Sequence, residues 1–417
     1  MSSNHRTVSE SIPSNFDKDI VWLNANISNN DNYDEIVSCN ISDLLGAGGL
    51  SGASMYKIVV HRASNQSQSL VCKMIPKNLQ ERSQKLGQPR ESIFYESFSS
   101  KLKSIGMSIP NTYYSYGDML TGEKQIILQD LSDCIQAGYF YGEYSPHNWD
   151  KDLNALILPC NEILAAPLSE QEWIETITRK AFSEAASLHG LFWKNEEFLN
   201  LSWLRSSDWM LGKNQESWQA SQETAVNYWK NTKEKIKTKA DYAVTWSPLV
   251  IECIESSLSK ISWTTYQEDI TTRDWTMVHG DFHPANMMWK PISSDDKTKA
   301  SGLIYFLDWE MVGIGSGPQD LAQFFISHVS SEARRICELK LLREYYEALN
   351  ETIKSDKFSW EDCKRDYSHG GAERWIWLLP LLAEMCPDKM VQFFHDQLQH
   401  FLEDHNLNAS NIGMPRV

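Results

Sequence analysis

One stretch constrains this chain more than any other. It reads Val278-His279-Gly280-Asp281-Phe282-His283-Pro284-Ala285-Asn286-Met287-Met288-Trp289, and it is followed by Leu303-Ile304-Tyr305-Phe306-Leu307-Asp308-Trp309-Glu310. An apolar, strand-like edge runs into a tight loop that carries a carboxylate and, five positions on, a carboxamide. A second apolar strand then delivers another carboxylate. A chain with this pattern folds as strand, loop and strand here, with oxygen-bearing side chains set at the strand ends.

Those side chains suit one kind of chemistry. Phosphoryl transfer asks for an acidic group to accept or orient the proton of an attacking hydroxyl, and for oxygen ligands that hold Mg²⁺ against phosphates. In that reading Asp281 is the base, and Asn286 and Asp308 are the metal ligands. The H-x-D-x-H run His279-Gly280-Asp281-Phe282-His283 also admits a metal-dependent phosphohydrolase, since His and carboxylates bind zinc or manganese. No further His/Asp group sits nearby in the sequence to complete such a site. His283 can lie near the acceptor or simply order the loop. Glu310 can touch metal or substrate.

The N-terminal third has a different texture. Residues 1–32 are polar and rich in Ser and Asn, an extension ahead of a folded unit. Then come a glycine cluster, Gly46-Ala47-Gly48-Gly49-Leu50-Ser51-Gly52, and two strand-like runs, 55–60 and 70–75, around a polar turn. The glycine segment is either a flexible turn or a cover whose backbone N–H groups meet a triphosphate, with Gly48, Gly49 and Ser51 as contacts. Lys73 stands in the second strand. A lysine in an apolar strand needs a partner. Glu91 and Glu96, both in the amphipathic helix expected over 90–105, are the candidates. Strands are expected at 113–116 and 125–128. Residues 139–168 read as an irregular insertion over a cleft. From the capping pattern Ser169-Glu170-Gln171-Glu172 onward the chain reads mainly helical, over 170–190, 215–240, 248–262, 331–354 and 372–402.

The loop resembles that of the aminoglycoside phosphotransferase and choline kinase-like (CHK-type) superfamily, in which H-G-D-x-x-x-x-N is followed by a D-x-D or D-x-E strand. Three further segments are similar to that group: Leu188-His189-Gly190, a helix end before the loop; Leu128-Gln129-Asp130-Leu131, like its inter-lobe L-E-D-L; and Gly317 to Ala322, like its G-x-x-x-D-L-A. The resemblance spans about 46–325. It implies an α+β, bilobal, protein-kinase-like fold, with an N-terminal antiparallel β-sheet lobe bearing one helix and a larger, mainly helical C-terminal lobe. The expected domains are therefore 1–32 as extension, 33–131 as nucleotide-binding lobe, and 132–417 as helical lobe with catalytic loop and acceptor pocket. It also implies ATP and Mg²⁺ as cofactors. Lys73, Glu91, Gln129 and Leu131 are its nucleotide-side residues, and a hydroxylated small molecule is its acceptor. Trp375 and Trp377 match the aromatic helix of choline kinases in composition only, so they are either pocket walls or core. Asp320 is expected to anchor the loop through backbone N–H groups rather than to react. A catalytically inactive nucleotide-binding pseudokinase stays open as an alternative.

Composition narrows the partners. The formal net charge of −16 argues against nucleic acid and anionic membrane surfaces, and is compatible with an amine-bearing acceptor. The eight Cys form no C-x-x-C and no zinc spacing, which points to free thiols in a reducing, cytoplasmic setting. No apolar run is long enough for a signal peptide or a membrane span. The sequence does not give the oligomeric state.

Overall fold

A computed structural model describes residues 20–27, 34–44, 52–238, 242–293, 295–296, 298–354 and 358–416. Gly48, Gly49 and Ser51 lie outside the described residues. The chain forms two compact units, residues 1–134 with 305–312, and residues 135–304 with 313–417. The fold is α+β, with an N-terminal antiparallel sheet and a larger helical part.

In the first unit, helix α1 (Ile20–Asn26) is followed by strands β1 (Ile36–Asp43), β2 (Ser54–Arg62) and β3 (Ser67–Met74). Helices α2 (Gln80–Leu86) and α3 (Arg90–Ser104) come next, then β4 (Thr112–Asp118) and β5 (Glu123–Gln129). To the single helix expected here the structure adds two short ones. The strands form one antiparallel sheet in the order β1-β2-β3-β5-β4. Alternation decides its faces. Ile58, Val60, Leu70, Cys72 and Ile127 pack with Trp22 and Leu23 of α1 in a buried cluster. Lys73, one step from Cys72, therefore points to the opposite face. It stands across from Ile126 of β5, and Lys124, two residues from Ile126, shares that face.

The second unit begins with β6 (Ile135–Gln136), α4 (Leu153–Asn161), α5 (Glu170–Leu191), α6 (Ser207–Met210), α7 (Gln215–Thr238), α8 (Pro248–Ser259) and α9 (Trp263–Thr272). Strands β7 (Thr276–Val278), β8 (Met287–Pro291), β9 (Gly302–Phe306) and β10 (Gly313–Gly315) follow, and β9 ends in the first unit. Helices α10 (Gly317–His328), α11 (Ser331–Ile353), α12 (Trp360–Met385) and α13 (Asp388–Asp404) close the chain. Ser169 and Glu172 make the reciprocal cap expected of them. Two expectations are corrected. The 139–168 segment is not irregular throughout: it contains α4, capped by Asp152. The helix expected over 372–402 is two helices. Pro387 cannot continue a helix, and it holds Cys386 extended at φ −107°, ψ 156°. Among the described residues no helix is long and apolar enough to cross a membrane.

Glu338 ties three of these helices together. It accepts two bonds from Arg334 at 3.0 Å, one from the Tyr367 hydroxyl at 2.5 Å and one from His405 Nε2 at 3.1 Å. Burial favours its neutral form, but the bond from His405 and the charge of Arg334 outweigh this and take its pKa from 4.5 to about 2. A carboxyl depressed in the folded state stabilises above its unfolded pKa, and the stabilisation disappears as pH falls through the folded one. The contribution here is at most about 3 kcal/mol, lost between about pH 4.5 and 2. Thermal melts of Glu338→Gln should therefore show a shallower loss of midpoint across that window than the native chain. Equal slopes would contradict this role.

Candidate functional site

The sequence-derived residues fall into two sets, one in each unit. In the first unit α3 lays a buried stripe, Glu91, Phe94, Tyr95, Phe98 and Leu102, at helical spacing. Glu91 opens that stripe, whereas Glu96 is exposed. The 305–312 segment is fixed to the same helix. Trp309 is fully buried and stacks on Phe94, with ring centroids 4.0 Å apart, and Arg90 Nη1 donates to the Glu310 carbonyl at 2.9 Å. Asp308, just before Trp309, adopts a left-handed backbone at φ 61°, ψ 61°. Aspartate tolerates that region better than most residues, and such strain gathers at working positions.

This packing gathers two ammonium groups and three carboxylates. Lys73 Nζ lies 2.8 Å from Glu91 Oε2, 2.8 Å from Asp308 Oδ1 and 3.1 Å from Glu310 Oε1. Lys124 Nζ pairs with Glu91 and Glu310 as well. Burial works to lower the Lys73 pKa, but Asp308, Glu91 and Glu310 hold it well above its ordinary value. Burial works to raise Glu91, and Lys124 and Lys73 bring it down to about 2. Asp308 differs: burial pushes it up to about 6 against the pull of Lys73, with Glu310 and Glu91 adding to the rise.

Lys124, fully buried, is the residue that sequence reasoning missed. The Glu310 carboxylate is taken up by Lys124, Lys73 and Gln88. Gln129 ends β5, its N–H bonded to the Asn111 carbonyl at 2.8 Å, and Leu131 is buried just after it. These two do not join the charged cluster.

In the second unit, β7 is wholly buried and pairs antiparallel with β10. The turn that follows needs Gly280 at φ 79°. Asp320, in the first turn of α10, accepts the His279 N–H at 2.8 Å and the Gly280 N–H at 3.1 Å. That is the anchoring expected of it, and it fixes where Asp281 leaves the strand. Asn286 Nδ2 donates to the Asp281 carbonyl at 3.0 Å and to Asp281 Oδ2 at 3.1 Å. His283 Nε2 lies 3.3 Å from Oδ2, and Gln323 Nε2 lies 3.4 Å from Oδ1. Burial works to raise the Asp281 pKa, but His283, His279 and Arg374 together hold it well below the usual carboxylate range. Asp281 is thus held as an ionised carboxylate.

The oxygen donors fit a hard divalent cation. In the second unit the Asn286 NH₂ group is spent on Asp281, which leaves its carbonyl Oδ1, and in the first unit Lys73 takes Asp308 Oδ1. Glu91, Asp308 and Glu310 offer carboxylate oxygens within 4.8 Å of one another, and three carboxylates against two ammonium groups leave one negative charge.

The two tryptophans separate. Trp375 is 1% exposed and packs on Phe394 with centroids 5.2 Å apart, so it is core rather than a pocket wall. Trp377 is half-buried, donates to the Ser221 carbonyl at 3.1 Å and lies under Arg374.

A family model described as "Uncharacterized oxidoreductase dhs-27" matches residues 221–403, less than half of the chain. No curated protein matches. Among solved structures the chain is similar to the choline kinase LicA from Streptococcus pneumoniae, at 14% identity and TM-score 0.42, covering 91% of this chain and 98% of that one. It is similar to a Plasmodium vivax ethanolamine kinase at 11% identity and TM-score 0.40, over 88% and 82% of the two chains. A macrolide 2'-phosphotransferase from Brachybacterium faecium gives 11% identity and TM-score 0.37, over 86% and 91%. These are kinases and phosphotransferases of the kind the loop pattern resembles. At such scores they carry no argument about chemistry, which rests on the residues above.

Proposed function

We propose that this protein is an ATP- and Mg²⁺-dependent phosphotransferase that phosphorylates a hydroxyl of a small molecule. The observation that carries the reading is the Asp281–Asn286 loop pinned by Asp320, in a chain whose other unit holds Lys73 between Glu91 and Asp308.

Each group has a role. Lys73, kept protonated by its carboxylates, meets the nucleotide's phosphates, and Glu91 holds it in place. Asp308 and Asn286 supply metal oxygens. Magnesium, when bound, neutralises charge growing on the phosphates. Asp281 orients the acceptor hydroxyl and receives its proton as the new bond forms.

Two other readings have less support. Hydride transfer on a dinucleotide fold uses parallel βαβ units. Here the sheet of the first unit, β6 with β8 and β7 with β10 all pair antiparallel. A histidine-based phosphohydrolase needs imidazole at the metal. Among the described residues the group able to hold an ion is Glu91, Asp308 and Glu310, and it contains no histidine.

Calorimetric titration of ATP tests the proposal. Binding should weaken at least about tenfold when Mg²⁺ is replaced by EDTA, and Asp308→Asn should erase most of that difference. Metal-independent binding, or none, would count against it.

A further inference from the structure

Around Asp281, four buried polar atoms have no hydrogen-bond partner among the described residues: Gln323 Oε1, His283 Nδ1, His328 Nε2 and Arg374 Nη1. Each belongs to a side chain tied to the same loop. Gln323 and His283 each bond a carboxylate oxygen of Asp281 with their other polar atom. His328, 1% exposed, stacks on His283 with centroids 4.8 Å apart. Arg374 Nη2 is 3.5 Å from the Gly280 carbonyl oxygen. Native interiors seldom leave such atoms unmet, so four of them on side chains that gather at one loop mark a place for a polar ligand.

The charge of that place is unusual for a kinase acting on an amine. Arg374 is 4% exposed and has no carboxylate within 4.0 Å among the described residues. Burial, and then repulsion from Arg205, bring its pKa down to about 9, which still leaves it charged at neutral pH. Asp320, the other carboxylate beside the loop, is spent on two backbone N–H groups. An ammonium-bearing acceptor would meet the Arg374 guanidinium, with Asp281 as the carboxylate beside it. A planar guanidinium suits the two oxygens of a carboxylate or phosphate. Gln323 Oε1 accepts from a hydroxyl, and each imidazole nitrogen can accept or donate.

We infer that the acceptor recognised beside Asp281 is a hydroxyl-rich oxyanion, held by Arg374 through its acid group and by Gln323, His283 and His328 through its hydroxyls. This rests on the phosphotransferase reading and replaces the amine-bearing acceptor that the net charge suggested.

D-gluconate, sorbitol and glucamine share their hydroxyls and differ in one terminus: carboxylate, alcohol or ammonium. Sorbitol 6-phosphate adds a phosphate arm. Each is titrated calorimetrically into the full chain, with and without MgADP. One of the two anions should bind at least about tenfold more tightly than sorbitol, with glucamine weakest. Which anion wins names the acid group. Arg374→Met should bring that anion to the level of sorbitol, and Arg374→Lys, which keeps the charge but loses the fork, should fall between. Glucamine binding tightest, equal binding of all four, or no binding would each overturn the inference, and the native chain alone decides this. The heat of MgADP binding is read separately. Its absence would remove the phosphotransferase reading itself, whereas its presence with the wrong ranking would remove only the acceptor class.

Discussion

Replacing Asp281 by Asn should lower acceptor-dependent turnover by about 10²–10⁴-fold, the range that a positioned general base contributes, while ATP binding stays near its native strength. The substitution keeps the size of the side chain and removes only its charge. It also strips Asn286, Gln323 and His283 of the anion they converge on, at 3.1, 3.4 and 3.3 Å. The fold should tolerate this, because the Asp281 side chain is 37% exposed and the loop is pinned by Asp320 rather than by Asp281. The effect should therefore sit in kcat, with the KM for ATP little changed. A variant that keeps native kcat would mean that the carboxylate has no part in the chemistry. A variant that also loses ATP would place Asp281 on the nucleotide instead.

The second large effect is on stability. Lys124→Met should destabilise the chain by about 3–5 kcal/mol, the usual result of removing one partner from a buried ion pair. Lys124 is fully buried, and its ammonium serves both Glu91 and Glu310. Methionine fills much of the same volume, so packing is mostly kept. What is lost is charge: Lys73 is left alone against Glu91, Asp308 and Glu310. Urea unfolding followed by tryptophan fluorescence reads the loss. Adding Glu310→Gln to the variant removes one of the stranded carboxylates and should recover part of it. A single variant within about 1 kcal/mol of the native chain would show that the cluster tolerates the missing cation, as an exposed pair does.

These two residues also show what could be read from sequence and what could not. Asp281 and Asn286 sit on one short loop, and Lys73 stands out because a lysine in an apolar strand demands a partner. Glu91 is preferred to Glu96 through the family resemblance alone, and it is the structure that buries it in line with Phe94, Phe98 and Leu102. Lys124 gave no comparable sign. It follows Thr121-Gly122-Glu123 and reads as the polar edge of a turn. Only its alternation with Ile126 and Leu128 hinted at an inward face, and only the register of β3 on β5 puts that face beside Lys73. The ion pair of Glu310 was hidden for the same reason, because Lys124 lies far away in the chain.

In the second unit, the anchor role of Asp320 was open to sequence reasoning. Gln323, one helical turn beyond it, was not singled out, although that spacing aims both at one loop. Arg374 was hidden by its neighbour. Trp375 drew attention as an aromatic, yet it is Trp375 that packs into the core, while Arg374 reaches the Gly280 carbonyl. The two helices at 360–404 were merged because hydrophobic periodicity runs through Pro387, and only the extended backbone at Cys386 marks the break.

The most direct measurement follows the terminal phosphate of radiolabelled ATP through the full chain in the presence of Mg²⁺ and a pooled extract of small metabolites. The account predicts that label moves from ATP into a small hydroxylated compound with the native protein, and that Asp281→Asn leaves it on ATP. Label released only as inorganic phosphate, or transferred equally by both proteins, would contradict it.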